Sequence, residues 1–204
     1  MTLVSMFDKL IECIQEKVDL SESDVETLKQ FFVPKKVRKR QYILNAGDVC
    51  QYITFVEKGM LRSFTVDEAG NEYVVQFAIE GWWVSDVGSF MSGDNALYNI
   101  EALEDCELLQ LSKSGMEDLL VALPVMKHFF GLLMQNNIAA LQRRFVAYMS
   151  LSAEKKYLRL MEVAPEIIQR ASRQHIASYL SITPETLSRV RKKVAERDMI
   201  GLKT

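Results

Sequence analysis

The stretch RQHIASYLSITPETLSRVRKKV, residues 173–194, carries the pattern that decides the C-terminal fold. Ile176 and Leu180 form the buried face of a short first helix, and Ala177 is small where a second helix must approach closely. Ser181 lies at the turn, four residues after Ala177, and apolar Ile182 follows it. Thr183 is an N-cap candidate, Pro184 fits the first helical position, and Glu185 suits the positive helix start. Leu187, Val190 and Val194 then repeat at three and four residues as a second buried face. Two short helices joined in this way read as a helix-turn-helix.

The other face of the second helix carries Glu185, Ser188, Arg189, Lys192 and Lys193. Glu185 and Arg189 stand four residues apart and project together. A carboxylate can accept from cytosine N4, and a guanidinium can grip guanine O6 and N7 in the major groove. The same spacing also suits an intrahelical ion pair on a solvated surface. Glu185, Ser188 and Arg189 are the candidate base readers. Arg173 and Gln174 at the first helix start, with Thr186, Lys192 and Lys193, are candidates for DNA phosphate.

Charge supports a nucleic-acid partner only after the chain is divided. The 204 residues carry a formal charge of -2, which taken whole argues against DNA. Residues 1–141 hold 12 Lys/Arg against 21 Asp/Glu, a net of -9; residues 142–204 hold 13 against 6, a net of +7. An acidic front joined to a basic tail is expected when one end of a chain meets an anionic polymer.

Upstream of the motif, Pro124 opens a helical pattern in which Phe130, Met134, Ile138, Leu141, Phe145 and Tyr148 step by three or four. A helix of about 27 residues is roughly 40 Å long. Phe129, Leu133, Ala140 and Ala147 widen the apolar arc beyond one buried face. The pattern fits a core helix lying on its own domain, or one that also pairs with a second copy through Phe130, Met134, Ile138, Leu141 and Phe145. A further amphipathic helix, with Tyr157, Leu158, Leu160 and Met161, ends near Pro165.

From Val37 to Leu111 the period becomes strand-like: Tyr42–Leu44, Tyr52–Val56, Leu61–Val66, Tyr73–Phe77, then Tyr98–Leu103 and Cys106–Leu111. Gly47, Gly59, Gly70 and Gly81 punctuate the first runs at 12, 11 and 11 residues, which reads as an antiparallel sandwich or barrel. Before it, Phe7 to Val33 reads as two helices broken at Asp19–Glu22, with Ser21 or Ser23 as cap, ending at Pro34. The basic run Lys35 to Arg40 reads as a solvated strand entry.

The order of β-roll, long helix and helix-turn-helix, ending in RQHIASYLSITPETLSRVRKK, resembles the catabolite-activator/FNR family of bacterial transcription regulators over nearly the whole chain. The resemblance implies an α+β fold in three parts. Residues 1–122 form a double-stranded, jelly-roll-like β-roll related to cyclic-nucleotide-binding domains. Residues 123–150 form a dimerisation helix, and 151–204 a winged-helix-like helix-turn-helix domain. It also implies that Glu185 and Arg189 read bases, that the partner is double-stranded DNA, and that the protein is a cytoplasmic homodimer. RNA polymerase is a further partner under that reading.

Three departures from the family pattern matter. Pro184 replaces an arginine often found before the glutamate, which points to a different recognised site. Ser181 replaces the usual turn glycine, a left-handed position that costs a non-glycine residue ~1 kcal/mol. The chain stops at Gly201-Leu202-Lys203-Thr204, where relatives continue into a β-hairpin, so the wing is expected to be truncated.

The sensor half departs further. Ser85-Asp86 stands where cyclic-nucleotide binders carry Gly-Glu, and Ala96 stands for the phosphate-binding arginine. Without that guanidinium a charge-assisted contact of roughly 1.5–3 kcal/mol is lost, so cyclic AMP is not expected to bind tightly. Trp82, Trp83, Ser85, Asp86, Tyr98 and Asn99 are the candidates for a pocket holding an unidentified small-molecule effector; equally, the tryptophans and Tyr98 could simply pack the roll.

Other classes are excluded or left without support. No apolar run approaches the ~20 residues of a membrane span, and Met1–Leu20 is no signal peptide. Cys13, Cys50 and Cys106 are odd in number and far apart, and only His128 and His175 accompany them. Neither disulfide, zinc nor iron–sulfur spacing exists, and no cofactor or metal is expected. No nucleophile–base set can be assembled for an enzyme. The competing reading is a ligand-binding or protein-interaction module with a vestigial helix-turn-helix.

Overall fold

The computed structural model describes residues 6–201, with side chains described to Arg197. The expected truncated wing falls on residues 202–204, outside the described residues. The chain forms two compact units, one of residues 1–65 and 76–136, the other of residues 66–75 and 137–204.

The first unit begins with α1 (Asp8–Gln15) and α2 (Glu22–Lys29). Ser21 caps α2 through a capping box, its hydroxyl accepting from the Asp24 amide while Asp24 returns a bond to the Ser21 N–H. The helical pattern stops at Lys29, earlier than the sequence suggested. Pro34 lies inside strand β1 (Val33–Val37), which is the edge of its sheet and so does not need the N–H that proline lacks.

Strands β2 (Tyr42–Leu44), β3 (Tyr52–Lys58), β4 (Leu61–Val66), β5 (Glu72–Ala78), β6 (Trp83–Val84), β7 (Asn99–Ala102) and β8 (Cys106–Ser112) complete two four-stranded sheets. Their orders are β1-β8-β3-β6 and β2-β7-β4-β5. A tight turn joins β3 to β4, and Gly59 is required there. Its φ is +100°, and a Cβ would stand 2.5 Å from Cys106 Sγ and 2.8 Å from the Asp105 carbonyl.

The period of two explains why β3 and β8 are apolar on both faces. Val56 and Leu108 face the roll interior with Leu61, Val84, Ile100 and Ala102. Phe55 and Leu109 face the opposite way, into a second cluster built from Leu10, Ile14, Leu28, Phe32, Leu119, Met126 and Phe129. That second cluster accounts for α4 (Lys113–Ala122), which the sequence reading left unassigned. Ser112 caps α4 by accepting from the Gly115 amide at 3.0 Å. A short α3 (Val87–Ser92) was likewise unassigned.

A buried carboxylate and a buried ion pair organise this unit. Glu57 on β3 accepts from the Leu10 and Lys9 amides at 2.8 and 3.3 Å, supplying α1 with the cap that Phe7 cannot. Burial pushes its carboxyl above the ordinary range, against the opposing effect of those two amides. Arg62 on β4 pairs with Glu101 on β7, directly opposite in register, at 2.8 and 2.6 Å; its guanidinium lies 4.0 Å above the Phe64 ring.

Helix α5 (Val125–Ser150) runs out of the first unit into the second, which continues with α6 (Ala153–Val163), α7 (Pro165–Arg170), α8 (Arg173–Leu180) and α9 (Pro184–Gly201). Ser152 and Ser172 cap α6 and α8, and Pro165 opens α7. Tyr157, Leu160, Ile167, Ile176, Leu180, Leu187, Val190 and Val194 are among its buried residues. The tip of the β4–β5 hairpin, residues 66–75, belongs here. Ser178 on α8 accepts from the Val74 N–H at 2.9 Å and donates to the Glu72 carbonyl at 2.8 Å. Arg144 donates to the Val75 carbonyl and lies 5.3 Å from the Tyr179 ring centroid.

Candidate nucleic-acid interface

The turn between α8 and α9 closes as a Schellman motif. The Ile182 amide reaches the Ala177 carbonyl and the Ser181 amide reaches the Ser178 carbonyl, both at 3.0 Å. Ser181 has φ 55° and ψ 49°, so a side-chain-bearing residue occupies the left-handed position that glycine usually fills. Thr183 then starts α9: its hydroxyl accepts from the Thr186 amide at 3.2 Å.

The exposed side of α9 presents Glu185, Ser188, Arg189, Lys192 and Lys193. The intrahelical ion pair that the Glu185–Arg189 spacing allowed is not formed among the described residues. Arg189 Nη2 instead donates to Thr186 Oγ1 at 3.2 Å. The Glu185 carboxyl is held below its ordinary range chiefly by its own backbone N–H at the helix start, then by the Thr183 hydroxyl, with Arg189 a lesser electrostatic contribution. Glu185 is therefore an anion at the helix mouth, and Arg189 keeps donors to spare. Ser188 Oγ donates to the Pro184 carbonyl at 3.0 Å.

Arg173 and Gln174 are exposed at the start of α8, and Thr186 is half-buried beneath Arg189. Lys192 is exposed, with Glu196 3.9 Å away. Lys193 differs from the other phosphate candidates. Its Nζ lies 2.6 Å from Glu154 on α6, and the same carboxylate receives Arg197. Sequence reasoning missed Glu154, 39 residues distant from Lys193. Only the packing of α6 on α9 brings them together.

The six candidate pocket residues sit in distinct local settings. Trp83 packs among Phe32, Phe55, Phe129 and Phe130, with ring centroids 5.1–6.1 Å apart, and Trp82 packs against the roll core. Asp86 is buried and caps α3, its two oxygens accepting from the Ser89 and Leu97 amides at 3.0 and 2.7 Å. Ser85 Oγ lies 3.4 Å from both Cys50 Sγ and the Tyr52 carbonyl. Asn99 accepts from the Ala46 amide at 3.0 Å. Tyr98, half-buried, lies between α3 and β7. Ala96 is buried and exchanges backbone bonds with Gly47 and Asp48.

On α5, Met134, Ile138, Leu141 and Phe145 are 41–64% exposed in the single chain, whereas Phe130 is half-buried against Trp83. Among the described residues no group of three or more His, Cys, Asp or Glu could hold a metal, and no helix is long and apolar enough to cross a membrane.

The described chain is a two-sheet roll followed by a long helix and a C-terminal helix-turn-helix whose second helix has an exposed polar face. Comparisons with known proteins agree. Residues 34–122 match the cyclic nucleotide-binding domain family. Regulatory protein HlyX of Actinobacillus pleuropneumoniae is 28% identical over 199 residues, covering 89% of this chain and 80% of HlyX. The fumarate and nitrate reduction regulatory protein of Vibrio cholerae is 25% identical, covering 90% of this chain and 78% of its own. In fold, the chain is similar to the c-di-GMP responsive global regulator CLP of Xanthomonas campestris, with TM-score 0.69 and 19% identity over 87% of this chain and 93% of CLP. It is also similar to FixK2 of Bradyrhizobium japonicum, with TM-score 0.68 and 18% identity over 82% and 86%. The chain is thus similar over most of its length to FNR-type regulatory proteins, and its fold is similar to that of solved Crp/Fnr-type regulators.

Proposed function

We propose that this chain is a cytoplasmic, homodimeric transcription regulator that reads a near-palindromic operator without cyclic AMP. The observation that carries this reading is the exposed face of α9, where Glu185 and Arg189 remain available for bases instead of pairing with each other. Glu185, Ser188 and Arg189 read base edges; Arg173, Gln174, Thr186 and Lys192 meet phosphate. The apolar stripe Met134, Ile138, Leu141 and Phe145 is the dimer seam, since soluble monomers rarely expose such contiguous surface. A two-fold dimer sets its recognition helices about 34–36 Å apart, one turn of DNA. Asp86, with both oxygens engaged by backbone amides, and buried Ala96 support the absence of tight cyclic AMP binding.

The test is a gel-shift screen with genomic fragments, followed by Arg189→Ala on the selected operator. The variant should bind with relaxed preference at one base position, losing ~1–3 kcal/mol of discrimination. Operator binding with unchanged preference refutes the base-reading assignment, and failure of every fragment favours the vestigial-motif reading.

A further inference from the structure

Glu154 stands at the second position of α6, behind the Ser152 cap, with its side chain only 18% exposed. One oxygen receives Lys193 at 2.6 Å and the other receives Arg197. Both cations project from α9, four and eight residues beyond Arg189, so Lys193 sits one helical turn from a candidate base reader on the same side. The Lys193 and Arg197 side chains are 56% and 61% exposed, so neither is buried by the pairing.

We propose that Glu154 is a built-in competitor for the DNA backbone: it withholds Lys193 and Arg197 from phosphate and so keeps binding to unspecific DNA weak. The inference rests on the proposed DNA-binding function. Its logic is electrostatic. Each phosphate neutralised by a protein cation contributes a counterion-release slope of about 0.9 in log affinity against log salt, whatever the sequence. Cations held by a carboxylate add little to that unspecific part and leave the base contacts of Glu185 and Arg189 as a larger share of the whole. The ordering of Glu154 supports this: hydrogen bonding from Lys193, then the charge of Arg197, holds its carboxyl below the ordinary range, so it remains an anion. The pairing also ties α9 to α6 and fixes the rotation at which the recognition face is presented.

The experiment measures affinity for random-sequence duplex DNA between about 50 and 200 mM salt. Glu154→Gln should steepen the slope by about 0.9 for each cation released, so that the affinity lost across that fourfold range grows by about 3.5-fold per cation. Adding Lys193→Ala and Arg197→Ala to Glu154→Gln should return the slope to the native value. A folded Glu154→Gln with the native slope overturns the proposal. A steep slope that persists in the triple variant also overturns it, because Glu154 then acts only as a repelling charge. Lys193→Ala in the otherwise native chain serves as a check that does not depend on how Glu154 variants fold: a drop of about 0.9 means Lys193 already meets phosphate and overturns the idea, whereas a drop well below that is expected. If the native chain binds no DNA at any salt, the proposed function itself is refuted, a result distinct from all of these.

Discussion

Replacing Glu101 by alanine should be among the most damaging single changes available in the roll. Arg62 and Glu101 are 4% and 9% exposed and face each other across β4 and β7. Two guanidinium nitrogens reach one carboxylate oxygen, at 2.8 and 2.6 Å. Unit charges ~4 Å apart attract by about 4 kcal/mol at an effective dielectric of 20. Measured losses on breaking buried pairs, ~3–5 kcal/mol, bracket the same value, because a cation is left desolvated without its counter-charge. For a chain of this length, 1 kcal/mol corresponds to about 2–4 °C, so the melting temperature of Glu101→Ala should fall by roughly 8–16 °C. Circular dichroism melts of the native and variant chains measure it. The double change Arg62→Met with Glu101→Leu should recover most of the loss, since an apolar pair of similar volume removes the desolvation cost of both charges. A fall below about 3 °C for Glu101→Ala, under 1 kcal/mol, would mean that the guanidinium is compensated without Glu101 and would refute the buried-pair reasoning.

Ser181→Gly removes the steric strain of the left-handed turn and should raise stability by ~1 kcal/mol, or about 2–4 °C; a lower melting temperature would show that the serine hydroxyl contributes more than the strain costs. Glu57 is shifted in the opposite direction from Glu154 and Glu185. Its folded pKa lies above the ordinary value of 4.5, so the folded state binds more protons and stability falls as pH rises through that raised value. Glu57→Gln keeps an acceptor for the Leu10 amide, so in urea melts its stability relative to the native chain should improve from pH 4 to pH 7; a constant difference would contradict this.

The helix-turn-helix was legible because local chemistry sets it: a threonine cap, a first-turn proline and two apolar stripes at helical spacing lie within 22 residues. The β-roll was legible from glycine spacing and β-branched runs for the same reason. Where reading failed, long-range packing decided. Pro34 looked like a helix stop but sits in an edge strand, because its register partner Leu109 lies far along the chain. Helix α4 carries a weak apolar pattern and is held by the aromatic and aliphatic cluster around Phe55 and Phe129. For Trp83 the sequence left ligand contact and roll packing equally open, and only the fold brings it into a cluster of phenylalanines while Asp86 receives two amides. Lys193 could not be separated from Lys192 by sequence, since what distinguishes them is a glutamate on another helix.

The Ser178 bonds to Glu72 and Val74 span 106 and 104 residues, and this has consequences for how the protein is made and cut. Ten residues of the second unit are encoded between two segments of the first, so no single cleavage yields both halves intact. A fragment starting at Asn137 leaves Ser178 without the strand edge it bonds. On the ribosome Val74 emerges 104 residues before Ser178, and nascent chains carry that edge without its partner until α8 has been made. Expression of the whole chain, rather than of its halves, is the form in which each unit is complete.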